Sequence, residues 1–124
     1  MRFKFSGLPD EFHRAHPRAQ ALALYMDGYA LRVFGKDLFV TDVERTQEEY
    51  DAVYHTPNYS GPRPHLPPSR AVDFRTMGEL TDSQIKALVD HVNSFWVRSD
   101  GRLTALHHTV ASGAPHIHVQ VVVI

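Results

Sequence analysis

Five prolines lie between residues 57 and 68, near the middle of this 124-residue chain. A proline lacks the backbone N–H group and has a restricted φ angle, so segment 55–69 can form neither a helix nor a central strand. A loop of this length in a compact domain is usually functional. The regular elements must therefore lie on either side of this loop, which carries His65 towards its end.

The residues before the loop predict two helices and one strand. Residues 1–16 show no clear pattern and are expected to be irregular. Apolar residues recur at helical spacing over 17–34, and Gly35 is placed to end that helix. Segment 37–45 is rich in apolar and β-branched residues, which favours a strand. A capping-box pattern then predicts a short helix over 46–54.

The residues after the loop predict a strand, a helix and a final hairpin. Segment 71–75 reads as a short strand. A second capping box opens the clearest helix, 82–97, whose apolar residues follow at spacings of three and four. Segments 103–110 and 115 onward alternate like paired strands, joined by a turn over 111–115 that contains glycine.

These elements predict one α+β domain spanning residues 1–124, with a small, mostly antiparallel sheet. We expect the helix at 82–97 to cover one face of the sheet and the helix at 17–34 to cover another side. The composition, with 43% hydrophobic and 22% charged residues, is that of an ordinary soluble protein.

Charge and hydropathy exclude several classes of partner. The formal net charge is −1, so there is no excess of positive charge to bind nucleic acid. No apolar stretch approaches the length needed to span a membrane. The amino terminus lacks the apolar run of a signal peptide, so we expect a cytoplasmic protein that a separate system would have to release.

The last strand carries a histidine pair on one face. Because side chains alternate along a strand, His116, His118 and Gln120 share one face, and the apolar residues between them share the other. The apolar face should pack on the helix at 82–97. If the strand at 71–75 is a neighbour, Asp73 and His118 can meet, and the proline-rich loop can bring His65 to the same place.

Two imidazoles and a carboxylate form the ligand set of a catalytic zinc site, in which a fourth position stays open for water. The chain has no cysteine, so a transition metal would have to be held by His, Asp or Glu. Each residue also has an ordinary explanation, since a His-x-His pair on a strand is often only a solvated polar face. Asp73, however, lies within an apolar strand, where an unpaired carboxylate is costly and a metal would offset that cost.

The segment Ser69-Arg-Ala-Val-Asp73 followed by His116-Ile-His118 resembles the zinc-site signature of the D-alanyl-D-alanine peptidase and murein endopeptidase superfamily. Hedgehog signalling domains share that site and fold. The resemblance covers about residues 37–124 and is closest to small phage and bacterial members. It implies a hedgehog-like, DD-peptidase-like fold with zinc held by His65, Asp73 and His118.

The resemblance also implies catalytic roles. His116 corresponds to the first histidine of the His-x-His motif, which lies beside the metal in the family. Arg45 stands where the family often has an arginine that contacts the polarised carbonyl, although a surface ion pair explains it equally well. No carboxylate occurs between Leu103 and Pro115, so His107 or His108 is the candidate to replace the usual carboxylate base. Alternation puts only one of the two on the active face, and His108 is favoured, although an ordinary strand histidine would explain it as well.

The sequence departs from the family pattern in two further ways. One residue more separates His65 from Asp73, so that Leu66, which cannot bind metal, stands in the expected register. We assume a one-residue bulge that keeps His65 in the site. Ser69 also replaces the family glycine.

The function implied is zinc-dependent hydrolysis of amide bonds in bacterial cell-wall peptides, as in an endolysin. Two other functions remain open at this stage. The chain could be a catalytically inactive zinc-binding module of the same fold that binds a peptide or protein partner. It could also be a metal-free structural protein. A hydrophobic small-molecule binder fits less well, because the expected site face is polar.

Overall fold

The fold consists of one β-sheet with helices packed against it. The structure is a computed structural model that describes residues 1–108 and 114–123. Within these residues the strands follow the order β1-β2-β3-β5-β4. The first pair is parallel and the other three are antiparallel. The elements along the chain are β1 (Arg2–Phe3), α1 (Leu8–Arg14), α2 (Pro17–Phe34), β2 (Phe39–Asp42), α3 (Gln47–Tyr54), β3 (Ala71–Arg75), α4 (Asp82–Phe95), β4 (Ala105–His108) and β5 (His116–Gln120). The α+β class predicted from the sequence is confirmed.

Local sequence signals account for the ends of the helices. Helix α2 starts at Pro17 and ends at Gly35, which takes up a left-handed conformation with φ of 68°. Thr46 and Thr81 cap α3 and α4, and both capping boxes are complete. Helix α4 ends at Phe95, two residues earlier than the apolar stripe predicts.

The expectation that residues 1–16 are irregular is wrong. Strand β1 pairs with β2, where the Arg2 N–H donates to the Leu38 carbonyl at 2.8 Å. Helix α1 buries Leu8 and Phe12 in the core. A two-residue strand and a seven-residue helix are too short to show a period, so tertiary contacts decide their structure.

The strand predicted over 37–45 is shorter than expected, because its register against β3 shifts between Val40 and Asp42. The chain then leaves the sheet, and the Arg45 N–H donates to the carbonyl of His65 at 2.9 Å. The strand at 71–75 is confirmed without change. The hairpin of β4 and β5 is also confirmed, although residues 109–113 of its expected strand end and turn lie outside the described part of the chain.

The two faces of the sheet differ in chemistry. Val72 and Phe74 of β3, with Ile117 and Val119 of β5, enter the hydrophobic core together with α1, α2 and α4. The helices α2 and α4 therefore lie side by side on the same face, rather than on different sides as expected. The other face carries the polar residues of β3 and β5, and α3 and the proline-rich loop lie against it.

No helix in the described ranges combines the length and apolar character needed to cross a membrane.

Replacing Leu88 of α4 with alanine should lower the free energy of unfolding by about 2–5 kcal/mol, because this side chain is fully buried and its loss leaves a cavity. Urea unfolding measures the effect. Leu24→Ala on α2 is the matched control, since that leucine is 54% exposed and its loss should cost much less. Equal losses in both variants would contradict the core described above.

Candidate metal centre

The sheet register places Asp73 directly opposite His118 in the adjacent strand β5. His118 Nδ1 lies 2.8 Å from Asp73 Oδ1. Asp73 is only 4% exposed, although it carries a carboxylate in the middle of a strand whose neighbours are apolar. The predicted meeting of these two side chains thus follows from strand pairing alone.

Backbone contacts hold His65 in the same site. Its N–H donates to the Tyr50 hydroxyl at 2.8 Å, and its Nδ1 lies 2.7 Å from the carbonyl oxygen of Val43. The loop closes behind it where the Arg70 N–H donates to the carbonyl of Pro64 at 2.9 Å. Leu66 instead lines a separate cavity beside Arg70. The additional residue in the loop therefore does not displace His65.

His65, Asp73 and His118 form one compact cluster. Each offers one ligand atom, and these atoms all lie within 4.8 Å of one another. The distance from His65 Nε2 to Asp73 Oδ1 is 3.4 Å. His65 and Asp73 are buried, and His118 is partly buried. A single ion could therefore contact two imidazole nitrogens and one carboxylate oxygen.

The hydrogen bonding of His65 indicates that a cation belongs in this cluster. The Val43 carbonyl can only accept a hydrogen bond, so Nδ1 must carry the ring proton. In the neutral ring, Nε2 then presents a lone pair towards the Asp73 oxygen, and this buried nitrogen has no hydrogen-bond partner. Two hydrogen-bond acceptors therefore face each other, and they repel each other unless a proton or a metal ion lies between them. Two nitrogens and one carboxylate oxygen suit zinc with an open fourth position.

Electrostatic coupling in the metal-free cluster shifts two pKa values in opposite directions. Burial by itself raises the pKa of Asp73, but the charge of His65 and the hydrogen bond from His118 outweigh it and hold that pKa well below its usual range. Burial lowers the pKa of His65, but the Asp73 carboxylate outweighs it, so this pKa lies above its ordinary value. Both shifts show that the site stabilises positive charge beside Asp73.

Two further histidines lie beside the cluster. His116 Nε2 is 3.5 Å from Asp73 Oδ2, and His116 Nδ1 lies 3.1 Å from the carbonyl oxygen of Ala114. The ring of His108 lies 4.8 Å from that of His116, measured between centroids. His107 points to the opposite side of the strand, where its Nε2 lies 3.3 Å from the Thr76 hydroxyl. The structure thus places His108, and not His107, in the site cavity.

His108 has features of a proton acceptor at neutral pH. Burial lowers its pKa, and the nearby His116 and His118 lower it further, so the ring remains neutral. Its Nε2 is buried and has no hydrogen-bond partner among the described residues. A neutral imidazole with an unused ring nitrogen at the edge of a metal site is suited to accept a proton.

Arg45 reaches the site as the sequence suggests. Its guanidinium lies 4.0 Å from Asp73 Oδ2, forms an ion pair with Asp42, and stacks over the Tyr50 ring at 5.0 Å. Burial lowers the pKa of Arg45, but the two carboxylates outweigh this and raise it, so the charge persists. Arg45 is therefore a positioned cation at the site and not a solvent-exposed arginine.

Sequence reasoning missed three residues that shape the site. Asp42 orients Arg45, and Tyr50 contacts both Arg45 and the backbone of His65. Gln120 Oε1 lies 2.8 Å from His118 Nε2. Strand alternation had already placed Gln120 on the histidine face, which was the available signal. Tyr50 gave no such signal, because its position depends on how α3 packs.

The cluster lies where two cavities meet. A cavity of about 180 Å³ is bounded by His108, His118 and Tyr54. A second, of about 270 Å³, has Lys4 and Arg75 in its wall. Asp73, Arg45 and His116 lie in the walls of both cavities.

The stability of the metal-free protein should depend on pH through this pair. Because the pKa of Asp73 is lower in the folded than in the unfolded protein, this residue stabilises the fold at any pH above its unfolded pKa of about 4. That stabilisation is lost as the pH falls through its folded pKa. Because the pKa of His65 is higher in the folded than in the unfolded protein, this residue stabilises the fold at any pH below its unfolded pKa of about 6.5. That stabilisation is lost as the pH rises through its folded pKa. The stability difference between wild type and Asp73→Asn should therefore be larger at pH 5 than at pH 9.

Urea unfolding in the presence of a chelator measures this difference. Asp10→Asn, at an exposed position of α1, is the matched control for the loss of one carboxylate. A wild-type advantage over Asp73→Asn that increases from pH 5 to pH 9 would disprove the electrostatic account of the cluster.

Comparisons of the chain with models of protein families, with curated proteins and with solved structures found no match.

Proposed function

We propose that this protein is a zinc-dependent hydrolase that cleaves amide bonds in the peptides of bacterial cell walls. The observation that carries the proposal is the cluster of His65, Asp73 and His118, in which a buried imidazole nitrogen without a hydrogen-bond partner faces a carboxylate. Zinc and the cell-wall substrate are inferred from the resemblance of the sequence motifs to the D-alanyl-D-alanine peptidase superfamily.

Three protein ligands would leave one coordination position of the metal open for water or substrate. A zinc ion held by three side chains would supply Lewis acidity and lower the pKa of water to about 7. His65 Nε2, His118 Nδ1 and the Asp73 carboxylate would hold the metal. The cavity that contains His108 adjoins this cluster and could receive the reacting amide.

Proton transfer is assigned to His108. Its neutral ring and free Nε2 allow it to accept a proton from the nucleophile and to deliver it to the leaving amine. No carboxylate other than Asp73 lines this cavity among the described residues. A histidine is thus the available general base.

We assign to Arg45 and His116 the stabilisation of the carbonyl oxygen of the substrate. Arg45 carries a fixed positive charge held by Asp42, and its position next to the metal cluster suits it to stabilise developing negative charge. His116 lies on the Asp73 side of the same cavity.

The missing carboxylate base also favours a second candidate function. A zinc-loaded module that binds a peptide without cleaving it would need the metal ligands and the two cavities, but no general base. Digestion of murein by the zinc-loaded protein separates the two functions, because only the hydrolase releases new amino groups.

Purified wild-type protein should contain about one zinc ion per chain, and His118→Ala should lose it, because the variant lacks one of three ligands. Elemental mass spectrometry measures the zinc content. His13→Ala on the exposed face of α1 is the matched control and should retain the metal. A wild-type protein that stays free of zinc after zinc is supplied would disprove the proposed function.

His108→Gln should retain zinc but lower the rate of amide hydrolysis by roughly 10²–10⁴-fold, which is the usual contribution of a general base. The neighbouring His107→Gln is the matched control, since that side chain lies on the other side of β4. The assay is the release of amino groups from murein. Full activity in His108→Gln would exclude His108 as the base.

A further inference from the structure

Gln120 lies directly behind the metal cluster. It follows His118 by two residues on the same face of β5, and it pairs with Ala71 in β3. Its backbone N–H donates to the Thr104 carbonyl at 3.1 Å, which anchors this end of the strand. Its side chain is partly buried and lies in the wall of the site cavity.

The two ring nitrogens of His118 face two different acceptors. Nδ1 lies 2.8 Å from Asp73 Oδ1, and Nε2 lies 2.8 Å from the amide oxygen of Gln120. A neutral imidazole carries a single proton and can donate to only one of them. A metal ion in the cluster removes this competition, because Nδ1 then acts as a ligand and the proton stays on Nε2.

We propose that Gln120 is a positioning residue that selects the tautomer of His118 needed for metal binding. The Gln120 amide oxygen accepts the Nε2 proton, which directs the Nδ1 lone pair to the metal and holds the ring in place. This inference rests on the proposed metal centre and adds a residue that the family motif does not contain.

The other histidine ligand is arranged in the opposite sense. His65 keeps its proton on Nδ1, where the Val43 carbonyl accepts it, and presents Nε2 to the cluster. The two histidine ligands are therefore opposite tautomers. In each, an oxygen atom on the far side of the ring from the cluster accepts the ring proton and so fixes the tautomer. The oxygen behind His65 belongs to the backbone, whereas the one behind His118 belongs to a side chain that can be replaced.

Gln120→Leu removes the acceptor while keeping a similar size, and zinc should bind about 10–100-fold more weakly, which is typical when such a supporting partner is lost. Gln120→Glu keeps an acceptor oxygen at the same reach and should retain wild-type affinity within a few-fold. Competition with a chromogenic chelator at fixed pH measures the dissociation constant. Gln20→Leu on α2 is the matched control, since it loses a side-chain hydrogen bond to a backbone carbonyl away from the site.

Two spectroscopic measurements distinguish positioning from general destabilisation. Long-range ¹H–¹⁵N NMR of the zinc-loaded protein should show His118 with a proton on Nε2, and this signature should weaken in Gln120→Leu but persist in Gln120→Glu. The visible absorption of the cobalt-substituted protein should change only in Gln120→Leu. If Gln120→Leu does not fold, Gln120→Asn offers the same test, because its shorter side chain cannot reach the ring.

The outcomes separate this inference from the proposed function. Wild-type zinc affinity and an unchanged His118 tautomer in Gln120→Leu would overturn the role of Gln120. A wild-type protein that binds zinc but does not hydrolyse murein would disprove the proposed function, while the Gln120 results would still support positioning. A wild-type protein that binds no zinc would overturn both.

Discussion

The buried carboxylate of Asp73 is the constraint on which the rest of the site depends. A carboxylate in the middle of a sheet is tolerated only if it is paired, because the loss of hydration is large. His118 pairs with it from the neighbouring strand, His65 from the loop, and His116 and Arg45 from its other side. His65 and His118 place ring nitrogens beside this carboxylate, which is a set of ligand atoms that could hold a metal ion.

The sheet allows this cluster because its two faces have separate roles. Val72, Phe74, Ile117 and Val119 on one face are covered by helices and provide the hydrophobic stability of the domain. The residues between them point the other way and are free to carry ionisable side chains. Helix α3 and the proline-rich loop then cover the polar face, so that Asp73 and His65 are buried without entering the core.

Alternation and capping predicted much of this arrangement. The strand at 71–75, the histidine face of β5 and the starts of α2 and α4 follow from local patterns, since each depends on residues close in sequence. Asp73 and His118 could be matched because the sheet pairs strands in register. The positions of α1 and β1 could not be predicted, because they depend on contacts with β2, which lies beyond the whole of α2 in the sequence.

The sequence by itself determined which residue types were available: a carboxylate in an apolar strand, alternating histidines and a loop that could not be regular. Only the tertiary structure decided which of them meet. The Val43 carbonyl fixes the tautomer of His65, and Tyr50 supports the loop, and neither contact leaves a local pattern. The reason is physical, since hydrogen bonds between distant segments depend on where strands and loops pack and not on the spacing of residues along the chain.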